Sequence, residues 1–171
     1  MKKYELTAEF IEQWGKKLFR IKALISFGSV EVGELGGYVE KEDNLAQDGD
    51  AWVCDDAWVC GNARVYGDAE VYGDAEVCDD AEVYGNADYL LIGRIGSRFS
   101  FTTFFKNKDK GITVSCGCFL GTIAEFRAKV TDTHGNNKHA KIYNLAADMA
   151  ELQILGEEHF NKLNTNKSEP F

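Results

Sequence analysis

Histidine is the residue type of this 171-residue chain best suited to general acid–base chemistry near neutral pH. The three histidines, His134, His139 and His159, all lie toward the C-terminal end. Nothing in the sequence places a nucleophile or an acceptor pocket beside them. We therefore expect solvent-facing or helix-end histidines and no catalytic residue. The alternative left open is that His134 or His139 completes a site across the subunits of an oligomer.

Cysteines could bind metal or form disulfides, and the chain has five of them, an odd number. They are Cys54, Cys60, Cys78, Cys116 and Cys118. The N-terminal segment lacks the apolar stretch of a signal peptide, so reduced thiols in a cytoplasm are favoured over a disulfide framework. Cys116 and Cys118 offer two thiolates, but a structural zinc site needs a second pair of ligands. We therefore expect no metal ion and no cofactor.

Acidic residues are concentrated in the middle of the chain. Residues 1–42 contain seven acidic and seven basic residues, and residues 92–171 contain eight and eleven. Residues 43–91 contain thirteen acidic residues and one basic residue, Arg64, for a net charge of −12. Such a surface repels nucleic acid and attracts basic surfaces. The sequence thus indicates a protein partner without direct nucleic-acid contact, and no apolar run approaches the roughly 18 residues that span a membrane.

The acidic segment repeats every six residues from Gly49 onward. The hexads are GDAWVC, DDAWVC, GNARVY, GDAEVY, GDAEVC, DDAEVY and GNADYL. Alanine at the third position and valine at the fifth share one face of a strand and should point into a core, while the fourth and sixth positions face outward. Gly, Asp and Asn at the first two positions make tight corners. Each hexad is therefore predicted to be a short strand followed by a corner.

This Ala-x-Val spacing resembles that of the hexapeptide-repeat left-handed β-helix family. In that family three hexads form one triangular coil, which implies that residues eighteen apart stack. The pairs implied here are Trp52 with Glu70, Trp58 with Glu76, Arg64 with Glu82, Cys60 with Cys78 and Tyr66 with Tyr84. The fold class expected is mainly β: a short left-handed parallel β-helix, a triangular solenoid of about three coils, with an N-terminal β cap and a C-terminal β-β-α-α module.

Three segments are predicted: a cap over residues 1–42, the hexapeptide-repeat β-helix over residues 43–96, and the β-β-α-α module over residues 97–171. The cap should contain a short helix at residues 7–14 and then a β-hairpin. "NLAQD" before the hexads and "LIGRIG" after them are expected to extend the coils.

The C-terminal module is predicted from local signals. Two strands flank the turn "KNKDKG". A helix should then start at a capping box of Thr122 and Glu125 and end at Gly135. A second, longer helix should bury an apolar face, and residues 161–171 should fray. The predicted buried face is Ile142, Leu145, Ala146, Met149, Leu152 and Leu155.

Beyond the repeat, the chain resembles bacteriophage and mobile-element proteins. The resemblance rests on "ELGGYVEKEDNLAQDGDAWV", the hexads, "NKDKGITVSCGCFLGTIAEF" and "THGNNK". It implies a location in the cytoplasm of a bacterial host. Such proteins are often labelled hexapeptide transferases from the repeat alone, so the alternative function is an acyltransferase with an acyl-CoA donor. Enzymes of that kind usually carry a histidine near the coil surface, and residues 49–95 contain none.

The function expected is therefore a non-enzymatic binding or scaffold protein that acts through an acidic β-helix surface. Regularly spaced carboxylates could imitate a nucleic-acid backbone and so inhibit a host nucleic-acid enzyme or defence system; a merely solvated surface is the other interpretation. Trp52 and Trp58 should mark an interface or pack beneath the N-terminal cap. A homo-oligomer, trimer or dimer, is also expected. The predicted binding residues are Trp52, Trp58, Glu70, Asp74, Glu76, Asp79, Asp80 and Glu82.

Overall fold

The computed structural model describes residues 1–165, which form two compact units, Met1–Asn86 and a second that begins at Ala87. The strands are β1 Tyr4–Gln13, β2 Lys16–Ala23, β3 Leu35–Val39, β4 Trp52–Val53, β5 Trp58–Val59, β6 Arg64–Val65, β7 Glu70–Val71, β8 Glu76–Val77, β9 Glu82–Val83, β10 Tyr89–Ile95, β11 Ser100–Lys106, β12 Ile112–Cys116 and β13 Phe119–Thr122. The α-helices are α1 Ile123–His134, α2 Lys138–Ala150 and α3 Glu157–Thr165.

The first unit begins with an antiparallel arrangement of β1, β2 and β3. The β-hairpin predicted in this region is confirmed, but the helix predicted over residues 7–14 is wrong, since β1 runs through it and pairs with β2. Pairing with β2 outweighs the weak helix preference of this segment, and the register shift between Leu6 and Phe10 fits the strand to its partner.

The hexads form two-residue strands that pair in parallel at a spacing of eighteen residues. The observed partners are Trp52 with Glu70, Trp58 with Glu76, and Arg64 with Glu82. Tyr66 and Tyr84 also meet, with ring centroids 5.1 Å apart. The predicted spacing of eighteen residues is therefore observed for these pairs.

Alanine and valine fill the interior of the hexads, as the repeat predicts. Every third-position alanine from Ala51 to Ala81 and every fifth-position valine from Val53 to Val83 is fully buried. A methyl group at the third position lets the chain turn close to the core, while the β-branched valine suits the pleated strand. The seventh hexad departs from this pattern: Ala87 is exposed, and the chain leaves the repeat through a 3-10 turn at Asn86–Asp88.

The predicted fold class is wrong. A mainly β protein built on a short left-handed parallel β-helix of about three coils was expected, whereas the described residues form a mixed α and β structure with several small sheets and no clear parallel β-helix. The sheets are a five-stranded mixed sheet, a four-stranded antiparallel sheet and two parallel strand pairs. The physical reason lies in strand length: the hexad strands have only two residues each, and one hexad pair, β5–β8, joins the antiparallel N-terminal strands through β3.

Three buried polar side chains support the beginning of the hexad segment. The Lys3 ammonium donates to the carbonyl oxygen of Ala51 at 2.9 Å, and the Tyr4 hydroxyl lies 2.8 Å from the carbonyl oxygen of Leu45. Asn44, which is fully buried, donates through Nδ2 to the carbonyl oxygens of Gly61 and Ala63. These bonds satisfy backbone groups that the two-residue strands leave unpaired.

The second unit contains an antiparallel sheet in the order β10-β11-β12-β13. The hairpin predicted around "KNKDKG" is confirmed by the pairing of β11 with β12. The β-β-α-α module predicted over residues 97–171 is incomplete, however, because residues 97–165 contain three strands, β11, β12 and β13, and three α-helices. The segment "LIGRIG" does not extend the hexads: most of it lies in β10, which pairs antiparallel with β11.

The first helix is confirmed, and the face predicted for the second is largely wrong. Thr122 and Glu125 form the predicted capping box of α1, and Gly135 ends it. On α2 the side chains of Leu145 and Met149 are 63% and 57% exposed. The buried residues of this helix are Ala140, Tyr143, Ala146, Ala147 and Ala150. Small residues allow α2 to lie close to its neighbours, so the buried face follows alanine rather than the larger apolar residues.

The predicted division at residues 42 and 96 stays a prediction. Within the first unit, β3 and β5 pair directly across residue 42. The predicted fraying of residues 161–171 concerns the end of α3 and residues beyond 165, and the latter lie outside the described residues.

Candidate binding surface

Glutamates occupy the outward position of the last three hexad strands. Glu70, Glu76 and Glu82 begin β7, β8 and β9, and each of these strands is the final member of its own sheet in the observed order. Tryptophan or arginine holds the same position in the preceding strands β4, β5 and β6. In each of the pairs β4–β7, β5–β8 and β6–β9, the first strand therefore carries an aromatic or basic residue at the fourth hexad position, and the second strand carries a glutamate there.

Aspartates form the corners on both sides of β8. Asp74 precedes this strand, and Asp79 and Asp80 follow it. Asp79 adopts a positive φ of 62°, a conformation that aspartate tolerates better than most residues. The Asp80 carboxylate accepts a hydrogen bond from the Asn62 amide at 3.2 Å, which ties it to the corner eighteen residues earlier. Asp74, Glu76, Asp79 and Asp80 therefore surround one strand, and we call these four residues the acidic edge.

Corner geometry explains the glycine and aspartate pattern of the repeat. Gly67 has a φ of +72°, and a Cβ atom there would lie 2.6 Å from the carbonyl oxygen of Tyr84, so only glycine fits. At another corner the Asp55 carboxylate accepts a hydrogen bond from the backbone N–H of Gly73 at 3.3 Å. The first two positions of each hexad thus have a structural role, and the charge of the aspartates is exposed as a consequence.

The carboxylates affect the chemistry of a neighbouring thiol. Burial raises the pKa of Cys54 to about 11, with further contributions from the negative charges of Glu70 and Asp55. At neutral pH this thiol is therefore protonated. The pKa of Cys78, which lies in the core beside Cys60, is raised by its hydrogen bond to that thiol and by burial.

Trp52 and Trp58 are buried, and they belong to the core rather than to the surface. The Trp52 ring packs edge-on against Tyr4 and Phe27, at centroid distances of 6.2 and 5.4 Å. The Trp58 ring packs edge-on against Trp14 at 5.2 Å. Of the two interpretations left open for these tryptophans, packing beneath the N-terminal segment is the one observed.

The six acidic residues of the predicted site lie at exposed or half-buried positions. The acidic edge brings four of them to one strand, whereas Glu70 and Glu82 lie on two other sheets. Near a further corner, the Arg20 guanidinium lies 3.9 Å from the Asp56 carboxylate. Sequence reasoning missed Arg20 because the pairing of β2 with β3, and of β3 with β5, brings it beside the repeat.

The histidines His134 and His139 lie in the second unit, with ring centroids 5.8 Å apart. In residues 1–165 no group of three or more His, Cys, Asp and Glu side chains is arranged to hold a metal ion. Within the same residues, no helix combines the length and apolar character needed to cross a membrane.

Comparison with known proteins adds no assignment: no family model and no curated protein matches this chain.

Proposed function

We propose that the chain is a non-enzymatic binding protein whose acidic edge contacts a basic surface of a partner protein. The observation that supports the proposal is that the hexads have buried apolar positions and separate outward positions that carry the acidic residues. Alanine and valine are all buried from Ala51 to Val83, so the carboxylates are left on the outside. Residues 43–91 carry a net charge of −12 with Arg64 as the one basic residue, which favours a strongly basic partner.

The partner that fits this charge is a protein with a basic nucleic-acid-binding groove. The carboxylates occupy outward and corner positions of successive hexads, so this segment presents many negative charges within a short length of chain. A groove that binds phosphates would accept such a surface in place of a nucleic acid. The resemblance to bacteriophage and mobile-element proteins supports a host nucleic-acid enzyme or defence protein in the bacterial cytoplasm as the target.

Capture from a bacterial lysate tests this proposal when a charge-neutralised variant is used beside the wild type. In the test variant, Asp74, Asp79 and Asp80 become Asn and Glu76 becomes Gln. In the control variant, four exposed glutamates away from the hexads become Gln: Glu5, Glu12, Glu157 and Glu158. Both variants lose four negative charges, so any general effect of net charge is the same in both.

We expect basic proteins to be retained by the wild type and the control variant and to be lost from the test variant. Asparagine keeps the corner geometry at Asp79, where φ is positive, so the test variant should fold normally. Far-UV circular dichroism checks this. If the test variant retains the same proteins as the wild type, the acidic edge is not the binding surface.

Self-association as a dimer or trimer is part of the same proposal. The burial of both tryptophans removes one reason for expecting it. Support now comes from Tyr72 and Tyr84 on the hexads and from Leu145 and Met149 on α2, all of which are exposed. Light scattering after size-exclusion chromatography measures the mass directly: a value two or three times 19.1 kDa is expected, and a mass of one chain would contradict this part of the proposal.

Acyl transfer from an acyl-CoA, the alternative function, gains no support from the structure. All three histidines lie outside the hexads, in the second unit. We therefore do not carry this alternative further.

A further inference from the structure

A cavity of about 210 Å³ lies within the second unit. Its walls come from the turn after β10, the turn between β12 and β13, and helices α1 and α2. The charged side chains that line it, Arg98 and Lys129, are both cationic, and the imidazole of His134 lies with them. In charge the cavity is thus the opposite of the acidic edge.

The inner wall of the cavity is built around Tyr143. This ring is buried and stacks on the His134 ring, with centroids 5.8 Å apart and planes inclined by 27°. Burial raises the pKa of Tyr143 to about 12, with a further contribution from Cys116, so the phenol is neutral at physiological pH and does not repel an anion. At Gly96 an added Cβ would lie 1.8 Å from the Tyr143 hydroxyl, so the glycine makes room for this side chain.

Aromatic rings form the apolar part of the cavity. Phe126 packs perpendicular to Tyr143 at a centroid distance of 5.6 Å, and Phe119 contacts Phe126, also at 5.6 Å. These contacts hold both phenylalanines in fixed orientations along the wall. A small pocket lined by both cationic side chains and aromatic rings suits a ligand that has both an anionic group and an apolar body.

We propose that this cavity binds a small organic anion, whose phosphate or carboxylate contacts Arg98 and Lys129 and whose planar apolar body lies against Phe119 and Phe126. At about 210 Å³ the cavity is smaller than the sites that take drug-sized molecules, so a ligand with a single ring fits it. This inference is independent of the acidic edge, because every residue that it uses lies in the second unit.

Isothermal titration calorimetry of the full-length chain with phenyl phosphate tests the proposal. The test variants are Arg98→Gln and Lys129→Gln. The matched controls are Arg94→Gln, near the end of β10 and four residues before Arg98, and Lys138→Gln, at the start of α2. Arg94 is directed to the Phe101 ring, with its guanidinium 5.9 Å from the centroid. All four positions are exposed, so the variants should remain folded.

We expect saturable binding of phenyl phosphate by the wild type and by both controls. Each test substitution should weaken binding about tenfold or more, since each removes a hydrogen bond to a charged group. Absence of saturable binding by the wild type would overturn the proposal. Equal affinity of the test and control variants would also overturn it, because the binding would then lie elsewhere.

Three further probes separate the parts of the ligand. Inorganic phosphate and benzyl alcohol should each bind more weakly than phenyl phosphate, because each lacks one of its two parts. If inorganic phosphate binds as tightly as phenyl phosphate, the aromatic wall has no role and the proposal is wrong in that part. Benzoate tests the kind of anion: tighter binding than phenyl phosphate assigns the cavity to carboxylates, and weaker binding assigns it to phosphate esters.

Discussion

The hexads and helix α2 bury their apolar residues according to different rules. In the hexads, fixed positions decide burial: alanine and valine are inside and carboxylates are outside at nearly every repeat. On α2, the size of a side chain does not predict its burial, because Leu145 and Met149 are exposed while Ala146, Ala147 and Ala150 are buried. In a repeat, the pattern of buried and exposed positions recurs in every unit, so it is easy to recognise in the sequence. A single helix shows its pattern only once, and the elements packed against it determine which face is buried.

The largest expected effect comes from reversing polarity at one position in each region. Val71→Asp places a carboxylate at a fully buried position among other valines, and we expect a loss of about 4 kcal/mol or more in the free energy of unfolding. Leu145→Asp on α2 should change it by no more than about 0.5 kcal/mol, because the side chain is already exposed. Urea denaturation measures both. Similar losses for the two variants would show that α2 is packed differently.

Next in size is the effect of the buried amide at the start of the repeat. Asn44→Ala leaves the carbonyl oxygens of Gly61 and Ala63 without their donor and the N–H of Lys41 without its acceptor. We expect a loss of about 2–4 kcal/mol in unfolding free energy, with Asn62→Ala, at an exposed corner, as the control at about 0.5 kcal/mol or less. Thermal and urea unfolding of the pair check this, and equal stability would mean that water replaces the amide.

A smaller effect should distinguish the two faces of α2. Ala147 is fully buried, so Ala147→Leu should overpack the interface and reduce stability by about 1–3 kcal/mol. Met149→Ala removes an exposed side chain and should change stability by about 0.5 kcal/mol or less. The ranking would reverse if the face predicted from the sequence were the buried one, so the same unfolding experiment decides between the two faces.

The smallest effect concerns thiol reactivity. Cys118 is exposed, whereas Cys54 is half-buried and has a pKa of about 11. The thiolate is the reactive form, so alkylation of Cys54 in the native protein should be slow at neutral pH and should accelerate as the pH rises toward 11. Mass spectrometry of the iodoacetamide-treated chain measures the rate at each site. A pH-independent rate at Cys54 would contradict the raised pKa.

Local signals predicted the capping box at Thr122 and the hairpin around "KNKDKG", because both depend on residues close together in the sequence. The resemblance to a fold family implied the eighteen-residue pairing of the hexads, which is observed, and a fold class, which is wrong. The β1 strand depends instead on its partner β2, and the burial of Trp52 depends on Tyr4 and Phe27. These are tertiary contacts between distant residues, so a pattern within one segment does not reveal them.

The two candidate sites also differ in how far the sequence predicts them. The carboxylates of the acidic edge follow directly from the repeat, since outward and corner positions are fixed in each hexad. The cavity of the second unit could not be read in the same way, because Arg98, Lys129 and Tyr143 come from three separate elements that the fold brings together. A ligand site built from distant residues requires the tertiary structure before its chemistry can be recognised.

Competition between this chain and duplex DNA for the captured partner tests the proposed role of the acidic edge most directly. The partner is first bound to the immobilised wild-type chain, and the amount released by increasing concentrations of DNA is then measured. We predict that DNA displaces the partner and that the variant neutralised at Asp74, Glu76, Asp79 and Asp80 fails to bind it. A partner that remains bound at saturating DNA, or that binds the neutralised variant equally well, would contradict the proposal.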